Sequence, residues 1–560
     1  MTILSRLLQD LPSLQIAIAA ALWRASSRAA DAPLACAATY TISAVVLSLF
    51  AGLTRNAHES ILSRASFGLL GTPHFVVGGT VAPGFERIEA MFRAQFKQGL
   101  HRSAQICVYA AGQKVVDLYG SVRGKGLERA NEPDPDPCAS TFHGRAPSAP
   151  DSAHGAYDGD SMQICFSSTK SLAAVVVALL VERGHLSYDD TVCSIWPAFA
   201  QNGKAAITVS DVLRHEAGLS FIDKPLTFDM MSPDAVARNE VGAHFEQQAP
   251  LGWDHPTPEF PNLLSKRCYH GITRGLVLNE IVRRADPGRR TIGVILRDDI
   301  CSPLQLSRTH VGTLPLALEP FVAPLGMQSV ANTVCDGIAL TCGLKPARDV
   351  RSEQSASVRA TIAKWKTLYK TSHLLRWFAS LPGKTSYEKG EAMPPPEDGI
   401  LNNNKRKVHA VESPSTNGLC SARDLAKLAA CLANGGELNG VRVLSAATLR
   451  EGQSEGKRAF DTGTHGWSTF SKGGWCLFED EETWMPIARG FVGWGGLGGS
   501  LFSWSPQRNV GVAFTHNAPY RRSPMGWKDA QRCLPLLEAT LQIVEQQQQQ
   551  QQQQQHASRL

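Results

Sequence analysis

The chain has 560 residues and a formal net charge of +6, from 56 basic and 50 acidic side chains. A charge this small, spread along the chain, gives no indication of nucleic-acid binding. The 13 cysteines are irregularly spaced and form no C-x-x-C pair, which argues against a metal site or a disulfide framework. This cysteine usage favours a reducing compartment.

The N-terminal region, residues 1–74, is predicted to be a targeting or anchoring region. Residues 34–53 carry no charge and are about long enough to span a bilayer, although hydroxyl side chains weaken the span. We therefore expect a membrane-associated, intracellular protein, with mitochondrial targeting left open. The alternative is a targeting segment that is cleaved or merely buried.

Residues 75–545 are predicted to form one large two-lobed domain. Residues 83–98 show apolar side chains at helical spacing, and residues 103–120 have the pattern of a β-hairpin with a glycine turn. Two insertions interrupt the domain. Residues 129–156 are rich in Pro, Ala, Asp and Ser, and charged stretches lie around residues 346–410.

An S-x-x-K tetrad begins at Ser167 and opens a long apolar run, residues 171–181. On a helix Ser167 and Lys170 share a face, so a desolvated lysine amine can take the serine proton. Because the run is apolar on all sides and ends before Gly184, it predicts a central buried helix. A second S-x-x-K, at residues 454–457, lies in a polar stretch with no helix behind it.

Two further elements could complete a catalytic site. Tyr269 and His270 lie where a loop runs into an amphipathic helix, and a tyrosine near a lysine ammonium can act as a proton shuttle. Taken alone, Tyr269 is more typical of a half-buried core residue. The third element is the glycine-rich stretch of residues 491–504, where glycines beside a strand allow a ligand to approach the backbone closely.

This stretch also contains a G-x-G-x-x-G pattern, Gly493 to Gly498. A dinucleotide site requires a helix after these glycines and an acidic residue ~20 positions on. The glycines instead lead into a predicted strand, and no such acid follows. We therefore expect no cofactor.

The order and separation of the motifs resemble those of the serine β-lactamase and penicillin-binding-protein superfamily. The matching segments are the S-x-T-K box at residues 167–171, an "LLxHxAGL"-like segment at 212–219, the tyrosine at 269, a "PSANG"-like segment at 414–418 and W-G-G at 494–496. The W-G-G form is similar to that of family VIII carboxylesterases, where β-lactamases have K-T-G. The resemblance covers roughly residues 80–540.

The resemblance implies roles for three side chains. Ser167 would be the nucleophile that accepts the acyl group. Lys170 would activate it and hold Tyr269 by charge, and Tyr269 would pass the proton to the leaving group. The backbone N–H groups of Ser167 and Leu497 would form the oxyanion hole. The implied substrate contacts are Trp494, Gly495, Gly496 and His270.

Strands at both ends of the domain around a largely helical middle predict a fold of the α/β (α+β) class. We expect an antiparallel sheet flanked by the N- and C-terminal helices, a mostly helical lobe, and the active site between them. Two departures, Gly271 in place of an asparagine and Trp494 in place of a lysine, favour an esterase or amidase/peptidase over a β-lactamase. The predicted function is a serine hydrolase of small esters or peptides. The alternative is a non-catalytic structural or binding protein that keeps the fold.

The C-terminal part begins with a second hairpin, predicted over residues 500–517, and a closing helix over 527–545. Ten glutamines follow, from Gln546 to Gln555. By composition, residues 546–560 are predicted to be a disordered tail.

Overall fold

A computed structural model describes residues 75–122, 157–220, 222, 226–250, 266–326, 403–461, 466–479, 489–518 and 527–558. No helix among them combines the length and apolar character needed to cross a membrane. The predicted span 34–53 lies outside these residues. So do the insertion 129–156 and residues 346–402 of the second predicted insertion.

The strands are short and are numbered here in chain order. They are β1 Phe75–Val81, β2 Ser103–Ala110, β3 Gln113–Val122, β4 Gln163–Ile164, β5 Thr309–Val311, β6 Gly418–Cys420, β7 Glu437–Leu438, β8 Val441–Arg442, β9 Lys457–Asp461, β10 Gly466–Phe470, β11 Cys476–Leu477, β12 Val492–Gly495, β13 Leu501–Ser505 and β14 Val510–His516.

Nine strands of the described chain form one antiparallel sheet, in the order β1-β3-β2-β14-β13-β12-β11-β10-β9. The two predicted hairpins are present as β2–β3 and β13–β14. Strand β14 also pairs with β2, with Val510 opposite Ala110, so the two ends of the domain meet in the middle of the sheet. A smaller sheet, β4-β6-β5, lies beside the predicted nucleophile.

The helices are likewise numbered in chain order. They are α1 Glu86–Lys97, α2 Thr169–Glu182, α3 Val192–Ile195, α4 Val209–Leu213, α5 Pro233–Ala237, α6 Glu240–Gln247, α7 Thr273–Ala285, α8 Ile292–Ile295, α9 Arg406–Ala410, α10 Ala422–Ala433, α11 Ala446–Gln453 and α12 Trp527–Ala557. A π-helical turn, Leu296–Cys301, continues α8.

Helices from both ends of the chain cover one face of the large sheet. Phe92 and Phe96 of α1 and Leu534 and Leu537 of α12 belong to one apolar core with the sheet's inner face. Each fully buried side chain of this kind contributes about 1.5–3 kcal/mol to folding. On the other face α10 packs so closely that a side chain at Gly511 would come within 2.3 Å of the Ala430 nitrogen.

The remaining helices form the second lobe around α2, whose residues Thr169 to Leu180 are buried. An all-round apolar helix needs such a surrounding, and Gly184 ends it with a left-handed backbone, φ +68°. The predicted fold class is therefore confirmed: an antiparallel sheet flanked by terminal helices, with a mostly helical lobe beside it.

The glutamine tract differs from the expectation of a disordered tail. Helix α12 continues through Gln546 to Gln555 and ends at Ala557, with these side chains largely exposed to solvent. The physical reason is that the packed first half of α12 already provides the helix nucleus. Glutamine has a good helix propensity, so it can extend an existing helix that it would not start alone.

Candidate active site

The predicted nucleophile lies on a tight turn between the small sheet and the central helix. Ser167 is in the 3₁₀ turn Phe166–Ser168, between β4 and α2, and its side chain is half-buried. Phe166 has a left-handed backbone, φ +45°, which is unusual for a bulky residue. Thr169 holds the turn, since its Oγ1 donates to the Phe166 carbonyl at 2.6 Å and accepts from the Gly418 N–H at 2.9 Å.

Lys170 is fully buried one helical turn above Ser167. Its Nζ lies 3.2 Å from Ser167 Oγ, 2.7 Å from the Gly271 carbonyl oxygen and 3.1 Å from the Ser415 carbonyl oxygen. Burial lowers the pKa of Lys170 well below its usual value, and the charge of Arg274 lowers it further. The amine thus has three hydrogen-bond partners, the Ser167 hydroxyl and the two carbonyls.

Tyr269 completes the contact with the nucleophile. Its Oη donates to Ser167 Oγ at 2.7 Å, and its ring centroid lies 4.8 Å from Lys170 Nζ. The Tyr269 backbone N–H donates to Asp461 Oδ1 at 3.0 Å, which anchors the loop to strand β9. The sequence prediction thus names three side chains that the structure brings into direct contact.

Burial acts against the expected charge state of this group. The resemblance implies that the lysine charge holds Tyr269 and favours its ionised form. Burial instead raises the pKa of Tyr269 to about 12, although hydrogen bonds with Ser167 and Trp494 and the charge of Arg274 oppose that shift. Because both side chains are desolvated, burial disfavours the charged form of each: it lowers the pKa of Lys170 and raises that of Tyr269.

The W-G-G segment lies against the 3₁₀ turn that carries Ser167. A side chain at Gly496 would come within 2.3 Å of the Cys165 carbonyl oxygen and within 3.1 Å of the Ser167 nitrogen. Ser500 ties the two segments together, since its Oγ donates to the Cys165 carbonyl at 2.7 Å and lies 3.2 Å from Ser168 Oγ. Glycine at position 496 is thus a steric requirement of this close approach.

Leu497 follows directly on this strand, in the 3₁₀ turn Leu497–Gly499. The turn is held from behind by buried Arg532 of α12, which donates to the Gly498 carbonyl at 3.1 Å and to the Ala518 carbonyl at 2.7 Å. The Leu497 side chain is 51% exposed. Its backbone N–H therefore belongs to a segment that packs beside Ser167, as the predicted oxyanion hole requires.

Trp494 is buried beside the tyrosine. Its ring stacks on Phe470 with centroids 4.9 Å apart and lies parallel to Tyr269 at 6.4 Å. The Trp494 side chain also lowers the pKa of Tyr269, against the larger effect of burial. Trp494 and Gly495 lie in β12, and Trp494 is only 5% exposed, so it supports Tyr269 directly.

The predicted substrate contact through His270 is wrong. His270 is fully buried, its Nε2 accepts from the Leu219 N–H at 3.0 Å, and its Nδ1 donates to the Cys268 carbonyl at 2.6 Å. Its backbone N–H donates to His215 Nδ1 at 2.9 Å. With both ring nitrogens used inside the protein, His270 positions the loop that carries Tyr269.

Sequence reasoning missed Arg274, which is buried at the second position of α7, the helix that follows Tyr269. A lone arginine in an amphipathic helix is ordinarily read as part of the solvated face. The signal that could have revealed it is its position among the apolar residues 275–278. Among the described residues, no group of three or more His, Cys, Asp or Glu side chains is placed to hold a metal ion.

Comparison with known proteins agrees with this geometry. The family model described as "Beta-lactamase" matches residues 88–533, which is most of the chain. The chain belongs to the beta-lactamase family. A curated member similar to it is the "Esterase/beta-lactamase LipL" of Mycobacterium tuberculosis (strain ATCC 25618 / H37Rv), 28% identical over 457 residues, which cover 79% of this chain and 83% of that protein.

Two solved structures of the family show the same fold. A novel penicillin-binding-protein homologue from Caulobacter crescentus is 25% identical, with a TM-score of 0.55, over 84% of this chain and 100% of the other. A family VIII carboxylesterase is 22% identical, with a TM-score of 0.56, over 84% and 100% of the two chains. The family and these relatives support a hydrolase of the serine type acting on small molecules.

Proposed function

We propose that the protein is a serine hydrolase that forms an acyl-enzyme on Ser167 and cleaves small esters, with amides or peptides as slower substrates. The observation that carries the proposal is the double contact of one hydroxyl. Ser167 Oγ lies 2.7 Å from Tyr269 Oη and 3.2 Å from Lys170 Nζ. A nucleophile within hydrogen-bond reach of both a base and an acid is the arrangement that acyl transfer requires.

The direction of the hydrogen bonds assigns the base and the acid. The Tyr269 hydroxyl donates to Ser167 Oγ at 2.7 Å, so its proton faces the serine oxygen. Lys170 Nζ lies 3.2 Å from the same oxygen, and burial lowers its pKa, so in its unprotonated form it can take the serine proton. In this chain of hydrogen bonds Lys170 is the base for Ser167 and Tyr269 is the acid.

Acylation would proceed as follows. Ser167 Oγ gives its proton to Lys170 Nζ and bonds to the substrate carbonyl carbon, and the resulting oxyanion accepts from the N–H groups of Ser167 and Leu497. Tyr269 protonates the leaving alcohol or amine as the carbon–heteroatom bond breaks. The acyl-enzyme then faces a lysine ammonium and a tyrosinate.

Deacylation would restore both groups. Tyr269 takes a proton from a water molecule while that water's oxygen bonds to the acyl carbon. The bond between the carbon and Ser167 Oγ breaks, and Lys170 returns its proton to the serine. Each group thus works once as acid and once as base, and no proton has to pass between lysine and tyrosine.

The substrate preference follows from what lies at the W-G-G position. Trp494 is enclosed by Tyr269 and Phe470, so this position offers no cation to a substrate carboxylate. The half-exposed Leu497 side chain instead presents apolar surface beside the proposed oxyanion hole. Both features favour uncharged esters over β-lactams, whose recognition in the family uses a lysine at this position.

The test is covalent labelling of the full-length protein with a fluorophosphonate. We expect one adduct on Ser167, found by mass spectrometry of peptides, and its loss in Ser167→Ala. Ser454→Ala is the matched control, because Ser454 begins the second S-x-x-K stretch and should leave labelling unchanged. An adduct on another serine, or no adduct on the folded parent protein, would refute the proposal and favour a non-catalytic member of the fold.

A further inference from the structure

Within the described part of the chain, the hydrogen-bond partners of the buried Arg274 guanidinium are backbone carbonyls. Its guanidinium donates to the carbonyls of Leu213, Lys170 and Gly474, each at 3.1 Å, and the residue is 1% exposed. No carboxylate within the described ranges forms an ion pair with it. Since a buried charge is costly unless it is paired, an arginine held in this way requires a reason.

The surroundings of Arg274 place that charge inside the candidate active site. The guanidinium carbon lies 5.2 Å from the Trp494 ring centroid, and that ring stacks on Tyr269 with centroids 6.4 Å apart. One of its N–H groups holds the carbonyl of Lys170 itself. Its charge lowers the pKa of Lys170, of Tyr269 and of both nearby histidines. Burial has the larger effect on each group: it also lowers the pKa of Lys170 and of the histidines, but it raises that of Tyr269.

The other titratable groups around the site leave Arg274 as the charge that acts on Lys170. His215 and His270 each accept a hydrogen bond from a backbone N–H at one ring nitrogen, which fixes both as neutral rings. Asp461 accepts a hydrogen bond from the Tyr269 backbone N–H, and its charge raises the pKa of the Tyr269 hydroxyl. Arg267 is paired with Glu216 at 2.8 Å.

We propose that Arg274, bonded to the carbonyl of Lys170, is a positioning residue whose buried charge disfavours protonation of the Lys170 amine. An ammonium at Lys170 would place a second positive charge in the same desolvated space, which like charges disfavour. The same charge favours the tyrosinate that Tyr269 becomes when it protonates the leaving group. This inference rests on the proposed acyl-enzyme function of Ser167 and explains how its base is prepared.

The experiment compares the pH dependence of kcat/KM in three full-length proteins with p-nitrophenyl butyrate as substrate. Arg274→Met keeps a long apolar side chain and removes the charge. We expect the acid limb of its profile to move to higher pH by about one unit, which is about a tenfold loss at a pH below the limb. Arg274→Lys keeps a charge and three N–H donors for the three carbonyls, and its limb should stay with the parent.

A merely structural role would lower the whole profile without moving its limb, so an unmoved limb in Arg274→Met overturns the inference. An equal shift in Arg274→Lys overturns it as well. If Arg274→Met does not fold, Arg274→Gln takes its place with the same expected shift, because its amide can still donate to a carbonyl. Failure of the parent to hydrolyse the ester or to label at Ser167 refutes the proposed function, and the Arg274 inference with it.

Discussion

Replacing Gly496 by alanine tests how closely the W-G-G strand must approach the nucleophile. The backbone at Gly496 is ordinary, φ −110°, so alanine adds no strain there and acts only through its methyl group. That methyl would lie 2.3 Å from both the Cys165 carbonyl oxygen and Ser500 Oγ, and such contacts have to open to at least 3.0 Å. The strand and the nucleophile turn must therefore separate.

The size of the effect follows from this separation. A shift approaching 1 Å between a nucleophile and its oxyanion donors can cost about 100-fold in rate. We expect kcat/KM of Gly496→Ala on p-nitrophenyl butyrate to fall by about that factor, chiefly through kcat. The overpacking itself should cost about 1–3 kcal/mol of stability, so the variant should remain folded at room temperature.

The matched control is Gly326→Ala, where the added methyl would meet only the flexible end of Arg102, at 3.2 Å. It should keep kcat/KM within about twofold, which is the range expected for a substitution away from the site. Activity of Gly496→Ala within about threefold of the parent, at an unchanged melting temperature, would show that the strand is not held in contact with Ser167 as described.

We expect similar losses of kcat/KM, ~100- to 10,000-fold, in Lys170→Ala, Tyr269→Phe and the double variant, because the effects of removing members of one proton relay are not additive. Near-normal activity in Tyr269→Phe would make that tyrosine a core residue only. Because burial lowers the pKa of Lys170 below 10.5, the folded state binds fewer protons than the unfolded state below that pH, and stability falls as the pH drops from 10.5 towards the folded-state pKa. In denaturant titrations across this window, the stability advantage of Lys170→Met over the parent should grow by about 1.4 kcal/mol per unit fall in pH, and a constant difference would contradict the assignment. Finally, p-nitrophenyl butyrate should have a higher kcat/KM than a chromogenic cephalosporin, since Trp494 replaces the carboxylate-binding lysine, and the reverse order would exclude an esterase preference.

Much of the site could be predicted because its motifs are local. The spacing of Ser167 and Lys170 on a helix, and the glycines beside β12, are properties of short segments. The protonation of Lys170 and Tyr269 could not be predicted, because it depends on burial by distant elements. The same limit applies to His270. Its motif places it near the site, but its side chain is buried by residues that are distant in the sequence.

The fold shows the same division between local and distant information. Hairpins and terminal helices follow from apolar spacing, and β2–β3, β13–β14, α1 and α12 are present where the pattern predicts them. The pairing of β14 with β2 joins residues about 400 positions apart, which no local pattern specifies. Arg274 is the clearest failure, because a charge inside an amphipathic helix reads as solvent-facing until its neighbours are known.

The bond from Arg532 to the Gly498 carbonyl has a consequence for biosynthesis. Ser167 is synthesised when less than a third of the chain has been made, yet the turn beside it is held by a helix near the C-terminus. Strand β14, which joins the two ends of the sheet, is also made late. A nascent chain therefore carries Ser167 for most of translation without the segments that complete its surroundings, so the proposed activity has to wait until synthesis is nearly finished.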